Sequence, residues 1–477
     1  MKTKNILYTI LITSVIVGCS GPKKQVLGSK EEVEAEIPSI KLNYETVLVM
    51  DTVIPKNPGI KDKEVRKINP SNPPVKLNLV AKPEEKELKL SDFYSKVKYI
   101  KLKHPLTDQG KAFLGNVNLS IKYEQGSSSG RGYNSSVFLT SKNIIAGDNY
   151  FGYHCYDQDG NFIYTIAVMS ELPVYRKITN EVTVSVKPEL RMINAFSIQD
   201  DNCLIYTSQN NKSQLNFHNI TEKKTYLSRP YYSGGSPYLV NKETYISYLY
   251  NVRAASRMPF MLSFDIKGDT LSSFMNYNSL VEPKNAQATN PDAGNIYYFN
   301  NTLTLRQAYN DTIYRFTSPN ELTAAYILNS SSQKLDLNTA LYGDKTDKII
   351  PNRWLETDKF AFIVHTQNND TPNNRGNNTV KFFYSFYDKK ESKFFRIPTD
   401  VYPDDFLITN DIKDGIPLSI SQAKENGGRL YSGYSKAQLE DLTKHKNFSS
   451  LPSGQQAKVK SLLSELADGE MLLMILE

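Results

Sequence analysis

Residues 137–164 read VFLTSKNIIAGDNYFGYHCYDQDGNFIY, and this stretch decides the fold. Three runs, Val137-Phe138-Leu139, Asn143-Ile144-Ile145-Ala146 and Tyr153-His154-Cys155-Tyr156, are rich in β-branched and aromatic residues and too short for helices. Asp157-Gln158-Asp159-Gly160 supplies hairpin-turn chemistry, and Phe162-Ile163-Tyr164 returns from it. The pattern predicts a four-stranded antiparallel meander.

Working outward, the same texture recurs. Cys203-Leu204-Ile205-Tyr206 with Leu215-Asn216-Phe217-His218 starts a second unit. Tyr245 to Leu249, Phe260 to Asp265 and the Lys267-Gly268-Asp269 turn make a third. A fourth runs from Ile296 through Thr312-Ile313-Tyr314-Arg315-Phe316 to Leu328, and a fifth holds Phe360 to Val364 and Val380 to Tyr387. Four-stranded units recurring at roughly 45–70 residues favour a β-propeller. Near the C-terminus the period changes. Ser435 with Gln438 and Ser453 with Gln456 have capping-box spacing ahead of leucines at helical intervals, which predicts two helices. Met471-Leu472-Leu473-Met474-Ile475-Leu476 follows, too apolar to be left exposed. Pairing it beside Val97-Lys98-Tyr99-Ile100-Lys101-Leu102 would close an all-β ring and remove its open edges.

The N-terminus carries an address. Lys2 and Lys4, the apolar run Ile6 to Val17 and then Gly18-Cys19 form a secretory signal ending in a lipobox-like Ile16-Val17-Gly18-Cys19. About a dozen apolar residues are too few to span roughly 30 Å of hydrocarbon. The expectation is a signal peptide over residues 1–18 and an acylated anchor at Cys19. From Ser20 to Glu87 the chain is rich in Pro, Lys and Glu and reads as an extended tether. Within it, Asn43 to Met50 has strand-like composition. Residues 88–477 are then the propeller.

Composition limits the function classes. The formal charge of +7 over 477 residues falls to +5 when Lys2 and Lys4 are removed, and the basic residues are interspersed with acidic ones. That pattern argues against nucleic acid as a partner. Tyr 31 and Phe 21 against Trp 1 suit half-buried strands. With Cys19 used by the anchor, Cys155 and Cys203 remain; both lie in apolar runs, and whether they pair is open.

The residues resemble the six-bladed β-propeller lipoproteins of Gram-negative gut bacteria, largely domains of unknown function related in fold to NHL-repeat propellers. Four segments carry the likeness: Leu90-Ser91-Asp92-Phe93 with Tyr99 to Leu102, Tyr156 to Phe162, Tyr309-Asn310-Asp311-Thr312-Ile313-Tyr314, and the helices followed by Met471 to Leu476. Where that family usually has a Gly-x-Gly-Pro-Gly-Glu-Tyr loop, this chain has Met169-Ser170-Glu171-Leu172-Pro173-Val174-Tyr175. The resemblance implies six blades and supplies no activity.

Motifs for chemistry are sparse. Gly126-Ser127-Ser128-Ser129-Gly130 matches a hydrolase elbow in letters but lacks the strand-to-helix context that the elbow needs. Asp157 to Gly160 lacks the further oxygen ligands of a calcium loop and reads as a hairpin. His154, Cys155, Cys203 and His218 would hold zinc only by converging from neighbouring blades, and strand packing accounts for them better. No catalytic, metal or cofactor residues are nominated. Tyr231, Tyr232, Arg253, Arg257, Arg306 and Trp354 stand at strand ends or loops, where Tyr, Trp and Arg suit sugar or peptide recognition. The reading is an envelope-anchored, non-catalytic binding protein presenting a propeller face to a glycan, peptide or protein, on the periplasmic side of the outer membrane. Two alternatives stand beside it: a metal-dependent lactonase-like hydrolase or lyase using Ca²⁺ over the central channel, and a structural partner of an outer-membrane assembly.

Overall fold

In the computed structural model the described residues are 63–103, 136–148, 152–167, 174–178, 181–185, 192–209, 212–232, 235–249, 259–276, 294–343, 345–368, 381–398, 407–408, 410–419, 423–444, 448–467 and 470–477. Three strands precede the first meander: β1 (Val65–Lys67), β2 (Val75–Asn78) and β3 (Val97–Leu102). Blade 1 is β4 (Ser136–Leu139), β5 (Ile144–Asp148), β6 (Gly152–Tyr156) and β7 (Phe162–Ala167), paired in sequence order. A separate hairpin, β8 (Val174–Ile178) and β9 (Glu181–Ser185), leads to blade 2: β10 (Met192–Gln199), β11 (Asn202–Gln209), β12 (Lys212–Asn219) and β13 (Lys224–Pro230). Blade 3 is β14 (Ser236–Asn241), β15 (Thr244–Tyr248), β16 (Pro259–Asp265) and β17 (Thr270–Met275). Blade 4 is β18 (Asn295–Phe299), β19 (Thr302–Arg306), β20 (Thr312–Ser318) and β21 (Glu321–Asn329). After helix α1 (Leu337–Tyr342) comes blade 5: β22 (Lys348–Glu356), β23 (Phe360–Asn368), β24 (Lys381–Asp388) and β25 (Lys393–Ile397). A two-stranded pair, β26 (Leu407–Ile408) and β27 (Leu418–Ser419), precedes blade 6, whose strands are β28 (Lys424–Asn426), β29 (Arg429–Ser435), β30 (Met471–Leu476) and β3.

Blade 6 thus joins the two ends of the body. β30 lies between β29 and β3, with Met474 opposite Ser432 on one side and Tyr99 on the other, in the register that hides its apolar side chains. Leu473 and Met474 are fully buried. Alternation along each strand sends consecutive side chains to opposite neighbours. Ile144 packs toward blade 6 and Ile145 toward blade 2. Every junction between successive blades has its own apolar cluster, including the one between blades 6 and 1, so the ring is closed.

The first strands of blades 2 and 3, β10 and β14, were not read from the sequence, which placed the starts of these units at Cys203 and Tyr245. The segment read as tether also contributes structure. β1 and β2 add in parallel to the outer strand of blade 4, Val65 opposite Glu321 and Leu77 opposite Leu328. Glu85 then bridges Arg396 on the outer strand of blade 5. Residues 63–96 therefore form a belt along the outer edges of blades 4 and 5 before entering blade 6, with Leu77, Leu79, Leu88 and Leu90 buried beneath it. Arg66 donates to the Met275 carbonyl at 2.6 Å, tying the belt to blade 3 as well. Asn43 to Met50 lies outside the described residues.

Both expected helices, α2 (Lys436–Lys444) and α3 (Ser453–Glu465), sit between β29 and β30. The capping box at Ser435 is reciprocal: its N–H donates to Gln438 Oε1 at 2.7 Å, and the Gln438 N–H donates to Ser435 Oγ at 3.2 Å. The one expected at Ser453 is corrected. Ser453 is the first helical residue, Pro452 precedes it, and the Pro452 carbonyl takes the N–H groups of Gln455 and Gln456. Gln456 Nε2 donates instead to the Leu451 carbonyl at 2.8 Å.

Candidate functional site

A four-stranded meander puts its first and third turns at one end and everything else at the other. In this chain the two ends differ sharply. At one end the turns are the short stretches 140–143, 200–201, 242–243, 300–301, 357–359 and 427–428 within the first hairpins, and 157–161, 220–223, 266–269, 319–320 and 389–392 within the second. At the other end the strands run into the segments 103–135, 168–191, 276–294, 330–347 and 398–423 between blades, and 249–258, 369–380 and 436–470 within them.

The hairpin face is fastened across its mouth. Gln199 Nε2 donates to the Asn301 carbonyl at 2.9 Å, and Asn301 Nδ2 donates to Asp200 Oδ1 at 2.5 Å, joining blades 2 and 4 past blade 3. Asn300 Nδ2 donates to Asp358 Oδ1 of blade 5 at 2.8 Å. Asp200, Asn300 and Asn301 all have positive φ, which Asn and Asp tolerate better than other side chains. The second hairpins repeat one device. Asp157 accepts from the Asn161 N–H, Asp265 from those of Gly268 and Asp269, Asp388 from those of Lys390 and Glu391, and Asn219 from that of Glu222. The Asp157 carboxylate is therefore occupied in building a turn. Gly160 (φ +83°) and Gly268 (φ +97°) also leave room where a Cβ would strike the Lys101 carbonyl and the Arg229 guanidinium of the preceding blades.

Glu356, at the end of β22, anchors the junction of blades 4 and 5. Its fully buried carboxylate receives Arg315 Nη2 at 2.6 Å, Lys389 Nζ at 3.0 Å, Tyr326 Oη at 2.7 Å and Tyr297 Oη at 2.8 Å. Burial works against its charge, yet Arg315 and Lys389 hold it below the usual carboxylate value. With its oxygens saturated, it serves as a fastening rather than as an acid or base.

The nominated residues fall as follows. Tyr231 is buried between blades 2 and 3, and its hydroxyl donates to the Gly235 carbonyl at 2.8 Å and meets Ser247 Oγ at 2.7 Å. Tyr232, next to it on the long-connection face, is 76% exposed. Arg306 ends β19 on the same face, 2% exposed, with Nη1 donating to the Asn310 carbonyl at 3.2 Å and Nη2 to the Pro351 carbonyl at 3.1 Å. Trp354 lies inside β22 rather than at a strand end, its ring edge-on to Tyr326 at 4.9 Å. Arg253, Arg257 and Cys19 lie outside the described residues, as does Gly126 to Gly130. Arg306 and Trp354 meet in one small pocket between blades 4 and 5, which Asn295 and Arg353 also line. Neither Asn295 nor Arg353 was singled out from the sequence.

Cys155 and Cys203 are buried free thiols in the cluster between blades 1 and 2. Burial pushes the Cys155 thiol up to about 12 and the Cys203 thiol higher still. His218 Nε2 meets Tyr164 Oη at 2.9 Å and Nδ1 meets Thr225 Oγ1 at 3.2 Å, while His154 pairs separately with Thr165. These partners occupy both ring nitrogens of His218 and Nδ1 of His154.

Fold and site together define a six-bladed β-propeller with a fastened hairpin face and a long-connection face that carries the candidate pocket. The model of a domain of unknown function, DUF4933, matches residues 57–445, and the chain belongs to that family. The solved structure of an exported protein from Bacteroides fragilis is 13% identical, with a TM-score of 0.51 over 84% of this chain and 99% of that one, a likeness of fold. A DUF4221 protein from Bacteroides vulgatus aligns at 8% identity and a TM-score of 0.40, over 80% of this chain and 97% of that one. No curated protein matches the sequence.

Proposed function

We propose that this propeller is a non-catalytic binding protein of the cell envelope, held by an acylated Cys19 on the periplasmic side of the outer membrane, whose long-connection face engages a glycan, peptide or protein. One observation carries the reading. Apart from the belt that enters blade 6, the long connections leave from one end of a ring packed at every junction, while the other end is tied off by short hairpins. A rigid ring carrying variable loops on one side is a recurrent platform for recognition. The exposed Tyr232 ring stands on that side.

The test immobilises residues 19–477 and compares partner recovery from envelope extracts, and glycan-array binding, with Tyr232→Ala/Arg253→Ala and with Lys142→Ala on the hairpin face. A ligand lost only in the first variant supports the reading; equal loss in both, or no ligand at all, overturns it. Cys19→Ser should move the protein from the membrane to the soluble fraction, and retention in the membrane would refute the anchor.

A further inference from the structure

Blade 2 is the low sector of the long-connection face. Its turn between β11 and β12 is only 210–211 and its passage to blade 3 only 231–235, whereas every other passage from one blade to the next runs through a long segment. The ends of β11, β12 and β13 come to the surface there side by side. Gln209 is opposite Lys212. Gln214 is opposite Pro230, and the Tyr231 N–H donates to the Ser213 carbonyl at 2.9 Å, so the same register sets Tyr232 beside Lys212. Gln209, Lys212 and Tyr232 are all exposed, and Tyr232 at 76% is the most exposed large apolar side chain among the described residues. At the usual strand spacing the row is about 10 Å long. The backbone that presents Tyr232 is fixed. Tyr231 is fastened by its N–H to Ser213, by its ring edge-on to Tyr206 at 4.9 Å, and by its hydroxyl to the Gly235 carbonyl and Ser247 Oγ. A Cβ at Gly235 would strike Ser247 Oγ and the Tyr248 carbonyl, so the chain lies tight against blade 3 where it enters that blade.

We propose that this row is a sugar-binding platform, on which a glycan ring stacks against Tyr232 while Lys212, with the Gln209 amide beyond it, donates to the ring's hydroxyl oxygens. The proposal rests on the binding function above and names its ligand class and its place. A bare, rigidly held aromatic ring offers a flat apolar surface at little cost in conformational entropy, which suits the C–H face of a sugar. The ammonium and amide donors alongside it match hydroxyl oxygens. A peptide is held instead by backbone pairing along a sheet edge or by pockets for its side chains. The row is made of strand ends, which present no such edge.

Residues 19–477 are applied to a glycan array, and the glycan bound best is titrated by calorimetry into the parent and its variants. Tyr232→Ala should weaken it roughly tenfold or more, whereas Tyr232→Phe, which keeps the stacking plane, should stay within about twofold of the parent. Lys212→Met should weaken it several-fold, and Lys142→Ala on the hairpin face should leave it unchanged. Melting curves establish that each variant is folded. An array on which no glycan is bound, unchanged affinity in Tyr232→Ala or in Lys212→Met, or a loss in Tyr232→Phe equal to that in Tyr232→Ala would overturn the proposal. If a protein or peptide from envelope extracts is bound by the parent and lost in Tyr232→Ala/Arg253→Ala while the array stays silent, the binding function stands and the sugar platform falls.

Discussion

Glu425 sits in β28 near the hairpin-face mouth, 9% exposed, with Oε1 accepting the Gly428 N–H at 2.7 Å and Oε2 meeting no partner. Burial, with the nearby Asp358 and Glu356 charges assisting and the Gly428 N–H and Lys389 opposing, pushes its carboxyl up to about 7. An acid raised in this way favours the fold only while protonated. Its contribution is complete below the unfolded value of about 4.5 and is lost as pH rises through 7. Glu425→Gln should therefore remove a decline in melting temperature between pH 5 and 8, measured as the difference between variant and parent. A parallel pair of curves would refute the assignment. His218 and His365, depressed to about 4 by burial, act in the opposite sense on the acid side, and the subtraction cancels them. At this scale the turn chemistry of Asp157-Gln158-Asp159-Gly160 was legible, because an Asx side chain and a glycine leave a local signature. The Lys267-Gly268-Asp269 turn after Asp265 was legible in the same way, whereas the matching positions Asn219 and Asp388 lack that glycine signature.

Among the elements, the belt was the least legible. Its Pro, Lys and Glu content argues against burial of apolar area, but β1 and β2 gain most of their order from backbone hydrogen bonds to an existing edge, which composition does not record. Only the spacing of Leu77, Leu79, Leu88 and Leu90 hinted at it. Leu77 is fully buried against blades 4 and 5, so Leu77→Ala should cost about 2–5 kcal/mol in urea unfolding. A loss under about 0.5 kcal/mol would mean that the belt merely rests on the blades. β10 and β14 escaped notice because polar residues interrupt their apolar ones, as in Met192-Ile193-Asn194-Ala195-Phe196-Ser197. Ser197 has a structural task there, its hydroxyl accepting the Leu239 N–H of the next blade at 2.9 Å.

Over the whole molecule, closure was legible because one observation demanded it: a six-residue apolar run needed strands on both sides, and Val97 to Leu102 offered the missing one. The pocket was not legible in the same way. Asn295 and Arg353 are brought together only when two blades dock, and no local pattern marks that docking. Leu473, buried in the cluster that joins blades 6 and 1, tests the ring as a unit. Leu473→Asp should open that junction and expose strand edges, giving aggregation and proteolysis throughout the body; a soluble variant with damage limited to blade 6 would show that the blades are independent.

The division between short hairpins and long connections also sets where the chain can change over evolutionary time. Segments on one side can lengthen, shorten or be exchanged without disturbing strand register, whereas one residue added to the Asn300–Asn301 turn would disrupt the bridges to blades 2 and 5. Relatives that meet different ligands are thus expected to diverge on one side of a shared disc, and grafted peptides to be accepted there and refused on the reverse.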